Sequence, residues 1–256
     1  MSEGRLRLFY ADASWIAGEA ARLEGEEAAH LSRVLRMKPG ERCRFATEGG
    51  EEYLVELTAV SARRAEARVI ERLPAGPPAP LSIRLGLPLL KGERFEGVLE
   101  KGAELGVDAF HPLALARCEA RIPPGRAEAR ARRWSRILRE AAKQSGRVPP
   151  PRVCGAAGLD SFLRETEDCP LKLLGWLGEG SLPLAGALAQ APPRPEGQTL
   201  RVALLTGPEG DLTPEEGQAA RAAGFLPVGL GPRVLRADTA PLALVAILQH
   251  ALGEMA

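Results

Sequence analysis

Two short stretches constrain this chain more than anything else in it. Residues 204–216 read LLTGPEGDLTPEE, and residues 228–241 read VGLGPRVLRADTAP. Each follows a short apolar run that reads as a buried strand, at 202–205 and 226–230, and each leads into a helical pattern. Strand, glycine loop and helix, twice over, is how an open α/β sheet builds a ligand crevice at the carboxyl ends of its strands. In the first loop Gly207 and Gly210 let the backbone pass close to a ligand, and Pro208 stiffens the turn between them. Thr213, Pro214 and Glu216 spell a helix start, with an N-cap, a proline in the first turn and the closing acid of a capping box. A plain strand-to-helix turn fits that loop as well. The second loop asks for more. It sets the apolar Val234, Leu235 and Ala240 beside Arg233, Arg236 and Asp238, a mixture suited to an apolar cofactor wall with a few polar anchors. Neither loop is a dinucleotide-binding turn or a Walker A sequence.

The rest of residues 81–256 alternates in the same way. A strand at 81–88 precedes a helix at 93–106 that turns Phe95, Val98, Leu99 and Ala103 inward at helical spacing. A strand at 107–115 carries Pro112 near its middle, which suggests a sheet edge or an exit into a loop. A long helix at 126–146 and a strand at 171–174 follow. This predicts an α/β domain with a mostly parallel sheet covered on both faces. The last helix, 240–252, is apolar nearly all round, so this domain or a second copy of the chain must cover it. Residues 5–73 read instead as a small β-rich unit with turns at Pro39-Gly40 and Gly49-Gly50. One helix interrupts it at 26–37. Its apolar stripe is Leu31, Val34 and Leu35, which leaves His30, Arg33 and Arg36 in line on the outer side. The proline-rich residues 74–80 are a linker by composition, so the expected domains are 1–73 and 81–256.

A net charge of +1 gives no global sign of a nucleic-acid partner. Charge is concentrated locally. On the 126–146 helix Arg132, Arg136, Arg139 and Lys143 recur at i+4 and i+3, with Arg147 and Arg152 beyond, opposite Trp134, Ile137, Leu138 and Ala141. Such a stripe is either an ordinary solvated face or a track for RNA phosphates. The four cysteines, Cys43, Cys118, Cys154 and Cys169, lie far apart with no Cys-x-x-Cys pair and only three histidines, which argues against zinc and against a disulfide framework. The longest apolar run, 240–248, is too short for a bilayer, and the amino terminus has no signal-peptide pattern. A cytosolic, metal-free protein is expected.

The two loops, TGPEG at 206–210 and LGPRVLR at 230–236 with Thr239 and Ala240, closely resemble motifs of the SPOUT-superfamily 16S ribosomal RNA uracil-N3 methyltransferases, the RsmE family. The likeness extends upstream through KGER at 91–94, EKGAELGV at 100–107, RW at 133–134, EAAKQSGR at 140–147 and HLSRVLR at 30–36. It implies a PUA-like β-barrel domain at the amino terminus and a SPOUT domain with a deep trefoil knot. It also implies S-adenosylmethionine within the knot, an obligate homodimer, and 16S RNA of the small ribosomal subunit as substrate, at position 1498. The family acts on the assembled particle. Cofactor contacts would come from Leu205, Thr206, Gly207, Pro208 and Gly210, from Leu230, Gly231, Val234, Leu235, Arg236, Thr239 and Ala240, and from Leu177, Gly178 and Glu179 as a third wall. His30, Arg33, Arg36 and the basic helix would meet RNA. Two departures stand out: Asp211 occupies the place of a usual second glycine, and Ala237-Asp238 replaces Thr-Glu in the family's RTETA.

Uracil N3 carries a proton at neutral pH. Its methylation therefore needs a base, for which Glu209 and Asp238 are the candidates, or donors that stabilise the ring anion, a task that suits Arg233 and Arg236. A SPOUT enzyme with another acceptor, or an RNA-binding homologue without turnover, would also fit these residues.

Overall fold

The computed structural model describes residues 6–176, 180–194 and 197–255. The chain forms two compact units, one of residues up to 76 together with 139–150, the other of 77–138 together with 151–256.

The first unit is a six-stranded sheet of order β1-β4-β5-β6-β3-β2. Its strands are β1 (Leu8–Tyr10), β2 (Ile16–Ala17), β3 (Ala20–Glu24), β4 (Arg42–Ala46), β5 (Glu52–Val60) and β6 (Arg64–Arg72). Every neighbouring pair is antiparallel except β1 and β4. The sheet curls around one core that includes Phe9, Leu23, Phe45, Val55 and Leu57. Between β3 and β4, helix α1 (Gly25–Ala29) runs into a π-helical turn at His30–Val34. The wider turn breaks the expected register. Leu31 is fully buried, but Val34 is 68% exposed, so it is not part of the core stripe. Arg36, at φ 52°, ends the turn.

Alternation predicts that β1 has one wet face, yet Leu8, Phe9 and Tyr10 are all buried. Residues 139–150 are the reason. Leu8, Tyr10 and Ala46 pack with Ala142 and Val148 on the side away from the main core. The Tyr10 hydroxyl donates to the Arg147 carbonyl, and burial pushes that phenol well above its ordinary value.

The second unit is built on seven strands in the order β11-β13-β10-β12-β7-β8-β9. In chain order its elements are β7 (Leu81–Pro88), α2 (Arg94–Glu104), β8 (Val107–Leu113), the 127–138 part of α3 (Ala127–Ser145), β9 (Arg152–Val153), α4 (Leu159–Glu165), β10 (Leu171–Gly175), β11 (Leu182–Pro183), α5 (Leu184–Leu188), β12 (Leu200–Thr206), α6 (Pro214–Ala222), β13 (Leu226–Gly229) and α7 (Thr239–Leu252). All six neighbouring pairs are parallel. A parallel sheet is covered on both faces, and the apolar, largely β-branched or leucine-rich strands at its centre obey that rule. Residues 202–206 of β12 and 83 and 85–88 of β7 are buried. Strand β8 is not an edge, because β9 pairs with Ala109 and Phe110 beyond it. The Pro112 carbonyl accepts from the Ala157 amide at 3.0 Å.

Helix α2 buries the expected Phe95, Val98, Leu99 and Ala103. Trp134, from the first part of α3, packs on Phe95 with ring centroids 4.6 Å apart. Beside it, Arg133 donates from Nε and Nη2 to the two oxygens of Glu96, both at 2.6 Å. Helix α7 buries Pro241, Leu244, Val245, Leu248 and Gln249 and leaves Ile247 41% exposed.

Candidate active site

Sheet register brings the decisive loops together. Gly175 at the end of β10 pairs with Thr206 of β12 on one side and with Val228 of β13 on the other. The segments leaving these three strands therefore start side by side at the carboxyl edge of the sheet, where open α/β sheets hold ligands. Leu177, Gly178 and Glu179, expected as the third wall, lie outside the described residues.

The first loop is held by short local bonds. Asp211 Nα donates to the Pro208 carbonyl at 2.9 Å, and the Asp211 carboxylate accepts from the Leu212 amide at 2.8 Å. Asp211 sits at φ 61°, a conformation natural to glycine, and among other residues most accessible to Asn and Asp, whose short side chains bond locally. That explains how an aspartate fills a place where the family usually has glycine. Gly207 has no such freedom of exchange, since a Cβ there would lie 2.8 Å from Asp211 Oδ1 and 3.2 Å from the Leu212 amide nitrogen. The helix start is as read: Thr213 Oγ1 accepts from the Glu216 amide at 3.2 Å, and Glu216 Oε2 accepts from the Thr213 amide at 2.9 Å.

Two residues that motif spacing did not single out for the site grip this loop from outside. Arg117 Nη1 donates to the Gly210 carbonyl at 2.9 Å and to the Leu212 carbonyl at 3.2 Å. Arg94 Nη1 reaches Glu209 Oε1 at 3.3 Å. Glu216 adds a link by accepting from the Ala116 amide at 2.8 Å through its other oxygen. Nearby, the Lys91 ammonium lies 2.5 Å from Glu119 and holds that carboxyl below its usual range. The only hint in the sequence was that Arg94 belongs to the KGER segment; nothing marked Arg117, because its partners are backbone carbonyls far along the chain.

In the second loop Gly231 takes φ 100°. Arg233, Val234 and Arg236 are exposed, Val234 at 81%, while Leu230, Leu235 and Asp238 are half-buried. Arg233 and Arg236 have no ion-pair partner among the described residues. The Arg236 carbonyl accepts from the amides of Thr239 and Ala240, both at 2.9 Å, which starts α7. Among the described residues, Asp238 accepts from its neighbour Thr239 Oγ1 alone, at 3.3 Å. Of the two candidate bases, then, Glu209 is already bound to a guanidinium and Asp238 is not.

Thr206 supplies a further observation. It is 2% exposed, and its Oγ1 has no hydrogen-bond partner among the described residues. A buried hydroxyl left without a partner is costly, on the order of 1–3 kcal/mol, unless a ligand supplies one. This orphan at a strand end, beside two glycines and an apolar second loop, fits a ligand that is part apolar and part polar. A separate apolar groove of about 710 Å³ runs from Leu230 and Gly231 past Leu182 and Leu184 to Ile247 and Ala251. Of the expected cofactor residues that are described, Leu230 and Gly231 line it.

The expected RNA contacts divide between the units. His30 is half-buried, edge-on to Phe9 at 6.4 Å, and Arg33 and Arg36 are exposed. On α3, Arg132 and Arg136 are exposed, and Arg132 is 3.4 Å from Glu128. Arg139 is paired with Glu48. Lys143 departs from the expected stripe. Its side chain is only 9% exposed and its ammonium lies 3.0 Å from Glu27 and 2.5 Å from Glu140. It is a structural cation.

Residues 77–249 match the RNA methyltransferase domain, and residues 23–70 match the RNA methyltransferase PUA domain. Ribosomal RNA small subunit methyltransferase E of Bacillus subtilis is 33% identical over 231 residues, covering 89% of each chain. This chain belongs to that family. The Mycobacterium tuberculosis member is 32% identical over 242 residues, covering 91% of this chain and 87% of its own. A crystal structure of the Neisseria gonorrhoeae member, described as bound to S-adenosyl methionine, superposes with a TM-score of 0.85 at 31% identity, over 98% of this chain and all of that one. The family accounts for both units: the curled sheet of the first and the parallel sheet of the second are the PUA-like and methyltransferase parts.

Proposed function

We propose that this chain is an S-adenosylmethionine-dependent methyltransferase that modifies N3 of one uridine in 16S ribosomal RNA, at position 1498, in the assembled small subunit. The observation that carries this reading is the meeting of the three strand ends at Gly175, Thr206 and Val228, with Arg233 and Arg236, without an ion-pair partner among the described residues, on the loop that follows. It is supported by relatives named for small-subunit ribosomal RNA methylation and by a neighbour described as bound to S-adenosyl methionine.

When bound, the cofactor supplies an electrophilic methyl group on a sulfonium sulfur. Leu205, Thr206, Gly207, Pro208 and Gly210 would hold it from one side. Leu230, Gly231, Val234, Leu235, Arg236, Thr239 and Ala240 would hold it from the other, with the Thr206 hydroxyl gaining its missing partner. The chain's task is then alignment and charge. Fixed geometry can supply ~7 kcal/mol or more of such a barrier. Arg233 and Arg236 stabilise the negative charge that grows on the uracil oxygens as N3 loses its proton, and Asp238 accepts that proton. Glu209 instead orders the first loop through Arg94. The knot implied by the family would wrap these loops around the donor.

A homodimer belongs to the same proposal. Val234, Ile247 and Leu182 are large exposed apolar residues at 81%, 41% and 39%, and the latter two border the apolar groove beside α5 and α7. A second copy would cover them. No helix among the described residues is long and apolar enough to cross a membrane, and the proposed substrate is cytosolic. The deciding measurement is nucleoside mass spectrometry on small subunits lacking the modification after incubation with the protein and methyl donor. 3-Methyluridine at the decoding region is expected; a methyl group on ribose or on another base would replace this reading with a different SPOUT activity.

A further inference from the structure

Three ligand-type side chains meet in the second unit. His111 comes from β8, Cys154 follows β9, and Glu165 is the last residue of α4; their ligand atoms lie within 4.8 Å of one another. Spacing rules for metal motifs gave no hint of them, since 43 positions separate His111 from Cys154. The sheet assembles them: β8 and β9 are parallel neighbours, and the Cys154 amide donates to the Phe110 carbonyl at 2.8 Å, which fixes the cysteine beside His111.

The geometry is ordered around the imidazole. His111 is 4% exposed and packs against Phe162 with centroids 5.1 Å apart. Its Nδ1 lies 3.3 Å from Glu165 Oε2, and the other Glu165 oxygen accepts from Ser161 Oγ at 3.0 Å. A carboxylate at Nδ1 places the proton there and leaves the Nε2 lone pair free. Nε2 lies 3.9 Å from Cys154 Sγ. Tetrahedral zinc, with bonds of roughly 2.3 Å to sulfur and 2.0–2.1 Å to nitrogen, sets those two atoms about 3.6 Å apart. Closing a few tenths of an ångström is within reach of one χ1 adjustment at a half-buried cysteine. A histidine that binds metal through one nitrogen and a carboxylate through the other is the usual arrangement in such sites. Cys154 and Glu165 keep solvent contact, so a cation has a way in and water can complete its shell. Of the nearby arginines, Arg84 pairs with Asp168 at 2.7 Å, a carboxylate it shares with Arg201; Arg152, with no ion-pair partner among the described residues, opposes a cation.

We propose that Cys154 Sγ and His111 Nε2 are the protein ligands of a divalent cation of the zinc class, with Glu165 fixing the His111 tautomer and water filling the remaining positions. The thiolate and the adjacent carboxylate together balance the charge of the ion. The site would tie the connection between β9 and α4 to β8, apart from the methyl-donor loops.

The test needs no methylation assay. Metal-free full-length protein is titrated with Co(II), then competed with Zn(II), at neutral pH. A sulfur-to-cobalt charge-transfer band in the near ultraviolet is expected, saturating at a single equivalent and bleached by zinc. Cys154→Ser should abolish the band while its thermal melt without metal stays close to the parent's. Glu165→Gln should keep the band but weaken affinity roughly tenfold or more. A missing band in the parent, or metal binding that Cys154→Ser leaves unchanged, overturns the assignment. So does rapid, zinc-insensitive alkylation of Cys154, which would make the trio an activated nucleophile instead.

Discussion

Asp211 holds the first loop in a left-handed turn at φ 61° with its own carboxylate as the local bond. Glycine adopts that conformation freely but lacks the bond, so Asp211→Gly should change stability by less than about 1 kcal/mol. Asp211→Val loses the bond and forces a β-branched residue into the turn, which should cost about 2–3 kcal/mol in thermal or denaturant unfolding. Equal effects of the two would mean that the backbone angle does not matter here. Arg117 acts on the same loop through two carbonyls. Arg117→Ala is expected to raise the KM for S-adenosylmethionine about tenfold while kcat falls less, with partial rescue by Lys, because one cationic donor still reaches a carbonyl. Arg236→Ala should behave differently. Removing a donor that meets developing charge typically lowers kcat by ~10²–10³, with the circular dichroism spectrum unchanged; unaltered turnover would remove Arg236 from the mechanism. At this scale sequence spacing could group Thr206, Gly207 and Gly231, since each stands beside a glycine-proline pair. It could not find Arg117 or separate Glu209 from Asp238, because both depend on contacts between residues distant in the chain.

Among the elements, α3 carries the sharpest lesson. Its helical period assigns Trp134, Ile137, Leu138 and Ala141 to the buried side; Trp134, Leu138 and Ala141 are buried and Ile137 is half-buried. The same period put Lys143 among solvent-facing cations, yet Glu27 takes it inward. Periodicity reports which way a side chain leaves its helix; it does not report what waits there. The π-helical turn misled in the same manner at Val34, since a wider turn rotates every later position. The ion pair makes a prediction about pH. Burial pushes the Glu27 carboxyl above its ordinary value of 4.5, and the Lys143 ammonium pulls it part of the way back. A folded-state value above the unfolded one means that the folded chain binds the proton more tightly, so stability from this group falls as pH rises through that window. In Lys143→Met the pull is gone and the window widens upward. The variant should lose about 3 kcal/mol at neutral pH and recover much of it as the pH is lowered through the range above 4.5 in which the buried Glu27 carboxyl takes up a proton. A loss that stays constant across that range would mean that packing of the lysine stem, not charge, is at stake.

For the whole molecule, the alternation of strand and helix over residues 81–256 was enough to predict a parallel sheet, because a strand buried on both faces needs a crossover before its parallel neighbour. The order of its strands was not legible. Nothing local to β12 says that it lies between β10 and β7, and it is this interleaving that sets the two glycine loops close together. The proposed dimer follows from exposed apolar residues on α7 and its surroundings. Light scattering should give twice the chain mass of 27.3 kDa at micromolar concentration. Ile247→Glu should shift it towards the single-chain mass, and a parent that is monomeric at every concentration would refute the interface.

The small amino-terminal unit is completed by residues 139–150, which cover the outer side of β1. Synthesis runs from the amino terminus, so this unit stays unfinished for as long as the ribosome takes to extrude another 74 residues beyond Gly76, and then for the length of the exit tunnel. Until that point Leu8, Tyr10 and Ala46 have no cover. The part of the chain made earlier is therefore not the part finished earlier. A fragment ending at Gly76 should be sticky and poorly folded, and adding residues 139–150 as a separate peptide should protect the backbone amides of β1 and β4 from hydrogen exchange.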